Sequence, residues 1–91
     1  MEDLHGVGKV LKDGLEIGEV SYTIRVYKAG VKGWAYPFAQ FQPRRNLDFY
    51  SLLGKVITLR LEDGRHWECF IQSLNGNVTA AGNWPVKQDN L

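Results

Sequence analysis

Four turn dipeptides, Asp13-Gly14, Ala29-Gly30, Asp63-Gly64 and Asn75-Gly76, divide the chain into runs rich in β-branched and aromatic residues. Glycine beside a small or polar residue supplies the positive φ angles of hairpin turns, so this spacing prescribes antiparallel strands joined to their sequence neighbours. Strands are expected near 6–12, 15–28, 33–41, 55–62, 65–74 and 77–82. Between the third and fourth, Pro43 to Gly54 reads as a loop and a short helix over 47–53, with Asn46 or Asp48 as N-cap and Gly54 as its stop. The expected fold is all-β with one short helix, a small antiparallel β-barrel or two-layer sandwich of about six hairpin-built strands. Residues 1–91 are read as one such domain.

Hydrophobic alternation chooses the geometry of the Asp63-Gly64 turn. A two-residue loop would put His66 and Glu68 on the apolar face of Ile57, Leu59 and Leu61. A three-residue loop, Glu62-Asp63-Gly64 with Gly64 left-handed, opposes Leu61 with Arg65, Leu59 with Trp67 and Ile57 with Cys69. Thr58 and Arg60 then face Glu68 and His66 on the solvent side, and a slip of one residue would exchange the two faces. The same geometry applied to Lys12-Asp13-Gly14 opposes Leu11 with Leu15 and Lys9 with Ile17. Ile17 is out of phase with Val20, Tyr22, Ile24 and Val26, so a β-bulge is expected near Gly18-Glu19. A long strand bent there favours a curled sheet.

Composition narrows the function classes. Eleven basic against ten acidic residues leave a net charge of +1, which provides no long-range field for a polyanion. The single cysteine, Cys69, excludes an intrachain disulfide framework and fits a reducing compartment. Met1-Glu2-Asp3-Leu4-His5 has no basic or apolar leader character, and no apolar run is long enough to span a membrane, so a cytoplasmic chain without a membrane partner is expected.

Catalytic and metal-binding signals are thin. His66-x-Glu68 supplies two ligands on one strand face, short of the three or four that a zinc site takes. Cys69 is next to Glu68 in sequence, but alternation turns its thiol to the opposite face, into the core beside Trp67 and Ile71. There is no glycine-rich phosphate loop and no nucleophile elbow. No catalytic residue, metal or cofactor is therefore assigned.

Binding has better candidates. Trp34, Tyr36 and Phe38 alternate along one strand face, with Lys32 before them and Arg44 and Arg45 after. Aromatic rings beside cations are the physical basis of single-stranded nucleic-acid binding on small barrels. The plainer expectation is that Pro37 marks an edge strand whose aromatic row closes the core. If neither core nor ligand covers them, such rings make a dimer surface. Val56 and Phe70, with Leu74, interrupt the polar face of the Asp63-Gly64 hairpin and mark either the seat of the short helix or an interface. Trp67 is assigned to the core, and Trp84 to a plug at one end of the barrel.

The run Leu53-Gly54-Lys55-Val56-Ile57-Thr58-Leu59-Arg60-Leu61-Glu62-Asp63-Gly64-Arg65-His66-Trp67 resembles the first hairpin of the Sm and Sm-like RNA-binding family. Asn75 and Asn77 fall roughly where that family keeps an acidic residue and an asparagine beside its uridine pocket. The chain departs from the family at Cys69, where a strand-bending glycine is usual, in its short loop after Leu74, and in lacking the arginine-glycine signature. The thirteen residues after Val78 are too few for two more strands, so the chain is not assigned to it. The leading expectation is a non-enzymatic interaction module that self-associates as a homodimer, or takes another protein partner, through its aromatic edge. The rival is a barrel that binds single-stranded nucleic acid or another ligand through the aromatic and basic 32–45 segment.

Overall fold

The computed structural model describes residues 2–29, 34–45, 47–82 and 84. Six strands, β1 (Glu2–Lys12), β2 (Leu15–Ala29), β3 (Trp34–Arg45), β4 (Val56–Arg60), β5 (His66–Ile71) and β6 (Asn77–Ala80), form a closed barrel in the order β1-β2-β3-β6-β5-β4. The expected barrel is found, and it is built from two three-stranded meanders. Its seams, β1 with β4 and β3 with β6, are antiparallel, and exchanging the two meanders maps this pairing scheme onto itself. The meanders differ in size: β1–β3 have 11, 15 and 12 residues, whereas β4–β6 have 5, 6 and 4. The first meander therefore runs past the closed section at the end where β2 hands over to β3.

Alternation fills the interior. Val20, Tyr22, Ile24 and Val26 of β2 point inward with Val10, Phe41, Ile57, Leu59, Trp67, Cys69, Ile71 and Val78. Short α1 (Phe49–Leu52) closes one end with Phe49 and Leu52. Its N-cap is Asp48, one of the two residues expected there, whose Oδ1 accepts the Tyr50 N–H at 3.0 Å. Trp84 plugs the other end as expected, edge-on to Trp67 with ring centroids 5.2 Å apart and the Arg65 guanidinium 5.2 Å from its own ring centre. Among the described residues no helix is long and apolar enough to cross a membrane.

The register of the β4–β5 hairpin is the expected one: Leu59 pairs with Trp67, Ile57 with Cys69, Arg60 with His66 and Thr58 with Glu68. Gly64 has φ +92° and Leu61 N–H donates to the Arg65 carbonyl at 2.8 Å. The first hairpin corrects the reading made by analogy. Asp13 (φ 54°) and Gly14 (φ 81°) are both left-handed, so the turn has two residues, and Lys12, not Leu11, pairs with Leu15. Lys9 opposes Glu19 rather than Ile17, and their side chains form an ion pair on the outer face. The bulge comes one residue early: Val10 pairs with Gly18 and Leu11 with Glu16, leaving Ile17 as the extra residue. Matching charges across the strands and a turn with the right twist outweigh covering Leu15, which is 70% exposed. A second bulge nearby skips Arg44, since Glu19 pairs with Arg45 and Val20 with Pro43.

Candidate binding face

Among the described residues the second meander's ladder to β3 pairs Ala39 with Val78 and Gln40 with Asn77. One step further along these antiparallel strands Phe38 and Thr79 would be partners, but the ladder stops short of them, and both line an opening. The opening is a groove of about 770 Å³, within the range of ordinary ligand sites. Its lining includes Pro37, Ala39, Val78 and Ala80, all small or apolar, together with the neutral polar residues Thr23, Gln40, Gln72, Asn77 and Thr79. Phe38 and Arg25 complete it among the described residues.

Cross-strand pairing sets Phe38, Phe70 and Val56 along one line that runs halfway round the barrel, from β3 through β6 and β5 to β4. Asp3 pairs with Arg25 and Arg25 with Phe38 on one side of the groove, while Val56 pairs with Phe70 and Phe70 with Thr79 on the other. Residues 38, 56 and 70, scattered in sequence, thus fall on a common line around the barrel. Phe38 is 65% exposed and Val56 54%, with Phe70 half-buried between its neighbours. Phe38 does not close the core, contrary to the plainer expectation, because β2 already fills the interior at that level with Ile24 and Val26. The short helix does not cover Val56 or Leu74 either, since its apolar residues turn into the barrel.

Not every expected contact residue joins this line. Trp34, Tyr36 and Arg45 lie in β3, but their side chains fall outside the described residues. Arg44 is held at the far end of β3, its Nη1 donating to Ser21 Oγ at 3.3 Å and its Nε 3.9 Å from the Glu19 carboxylate. Tyr27 was missed as a partner, although strand alternation after Val26 already turns it outward. Its ring meets Phe38 edge-on, with centroids 5.5 Å apart and planes at 78°, making a ridge beside the groove. The groove itself was beyond sequence reading, since it exists only where two distant strands separate.

The remaining polar groups show how the barrel is held. Glu62 Oε2 accepts the Val7 N–H at 2.7 Å, and Tyr22 Oη accepts the Glu62 N–H at 3.2 Å. Burial raises the Tyr22 phenol above its ordinary pKa, and Glu62 has the next effect through its backbone hydrogen bond, which works the other way. Cys69 is fully buried, and desolvation pushes its thiol up to about 12. His66 and Glu68 stand exposed on the open outer face, and among the described residues no three His, Cys, Asp or Glu side chains gather in a metal-holding group. Comparison with protein-family models, curated proteins and solved structures finds no match.

Proposed function

We propose that this barrel is a non-enzymatic interaction module that self-associates through the outer face around Phe38. The observation that carries the reading is the exposure of Phe38, edge-on to Tyr27, beside an open groove floored by Ala39, Val78 and Ala80. Exposed aromatic rings beside a groove whose polar lining is mostly neutral resemble the core and margin of a protein interface more than the surface of an isolated monomer. The near-neutral charge of the chain adds little repulsion between copies.

Single-stranded nucleic-acid binding draws support from Arg25 beside Phe38. It is the weaker reading because Arg44 is engaged by Ser21 and Glu19, six residues along the strand and about 20 Å from Phe38 at the usual strand rise. Sedimentation equilibrium over a wide concentration range tests the two. A mass rising toward the dimer, reduced in Phe38→Ser, is expected. A constant monomer mass that shifts only with a single-stranded oligonucleotide at low salt would replace self-association with the rival.

A further inference from the structure

We infer that the groove beside the β3–β6 seam is a saccharide site, taking a neutral oligosaccharide with one sugar ring laid on Phe38. The site goes beyond the self-association proposed above and does not depend on it. Both contacts use Phe38, so a saccharide and a second copy exclude one another.

The chemistry of the walls selects the ligand. Thr23, Gln40, Asn77 and Gln72 form one exposed row across the groove: Gln40 is in register with Thr23 on one side and Asn77 on the other, and the Gln72 N–H donates to the Asn77 carbonyl at 2.8 Å. Gln40 Nε2 donates to the Asn75 carbonyl at 3.2 Å, leaving its own oxygen to accept. Gln72 Oε1 accepts from Thr79 Oγ1 at 2.7 Å, leaving its NH2 to donate. Hydroxyl groups both donate and accept, so a sugar rim answers every member of this row. An apolar ligand would instead strip the row of water without replacing its hydrogen bonds. A polyanion would meet one cation among the described lining residues, Arg25, whose Nε is already 3.8 Å from the Asp3 carboxylate.

The other half of the match is apolar. A pyranose ring presents C–H bonds on its face, and the electron-rich face of an aromatic ring attracts them. Phe38 is 65% exposed and is steadied edge-on by Tyr27, with ring centroids 5.5 Å apart. It stands two positions from Gln40 on the same face of β3, about 7 Å at the usual strand rise, so a sugar lying on Phe38 brings its rim hydroxyls to the amide row. At about 770 Å³ the groove exceeds one sugar ring, which makes the ligand an oligomer.

NMR titration of the full chain with tetramers of glucose, mannose, galactose and N-acetylglucosamine tests the site, and sedimentation of the same samples reads self-association separately. The side-chain NH2 signals of Gln40, Gln72 and Asn77 should shift saturably with at least one tetramer, with a dissociation constant of about 0.1–10 mM. Phe38→Ala and Gln40→Ala should each weaken that binding about tenfold, with the fold checked by circular dichroism. Phe38→Tyr keeps a ring and should bind as the wild type does. No shift of these amides with any of the tetramers overturns the site, whatever mass the chain shows. Binding unchanged in Phe38→Ala overturns the stacked geometry. A galacturonic acid tetramer that binds more tightly than the galactose one overturns the neutral ligand in favour of an anion on Arg25. Amide shifts that follow protein concentration alone give the groove to a second copy and overturn the saccharide.

Discussion

Phe41 and Gly76 touch more closely than any side chain would allow: the Phe41 N–H donates to the Gly76 carbonyl at 2.9 Å, and a Cβ on Gly76 would lie 2.0 Å from the Phe41 carbonyl oxygen. This contact extends the β3–β6 seam, which among the described residues is otherwise paired at Ala39 and Gln40. Gly76 also has φ +93°, which an L side chain resists. Gly64 has nearly the same angle, +92°, with nothing within 4 Å of its would-be Cβ. Gly64→Ala should cost about 1–2 kcal/mol for the left-handed backbone alone. Gly76→Ala should add roughly 1–3 kcal/mol of overpacking and loosen the seam. Urea unfolding of the two variants side by side measures the difference.

Trp84 separates packing from polarity. Its ring is buried against Trp67, yet the indole N–H groups of both residues lack an acceptor. Trp84→Ala should cost about 3–5 kcal/mol, the usual loss for a buried large ring. Trp84→Phe keeps a ring in place and removes one unpaired donor, so it should cost under about 1.5 kcal/mol. Thermal melts of both variants check this; equal losses would show that Trp84 acts through its N–H.

Stability should fall on the alkaline side. The Cys69 thiol has a folded pKa of about 12 against an ordinary 9.0, so the unfolded chain releases this proton first. Its contribution is complete below pH 9 and is lost as pH rises toward 12, in all roughly 4 kcal/mol. Tyr22, also raised, acts with the same sign above its ordinary value of 10.0. Urea midpoints from pH 7 to 11 should decline, and Cys69→Ala should flatten the limb while leaving the part due to Tyr22.

Pro37 blunts an open edge. Since the Phe41 N–H points toward β6, strand alternation aims the backbone of residues 39 and 37 the same way, and at 37 the donor is missing. Among the described residues β6 does not pair with β3 at Pro37. Pro37→Thr should restore a donor there and raise the light scattering of concentrated solutions, with the mass of the soluble protein unchanged. No added scattering would mean that the edge is protected by something else.

Local chemistry determined much of this protein. The Asp63-Gly64 hairpin was legible to the residue because a one-residue slip would have carried His66 and Glu68 into the core. The inward set on β2, the cap at Asp48 and the buried thiol follow from alternation and short-range hydrogen bonding, which act between near neighbours in sequence. The first hairpin was misjudged where hydrophobic pairing of Leu11 with Leu15 competed with the twist of a two-residue Asp-Gly turn and the pairing of Lys9 with Glu19. Only tertiary structure settled how many positions the β3–β6 seam holds, and so where Phe38 stands relative to Phe70 and Val56. Closing a barrel forces its strands to tilt and separate by amounts set jointly by all six, and no single segment encodes that joint constraint.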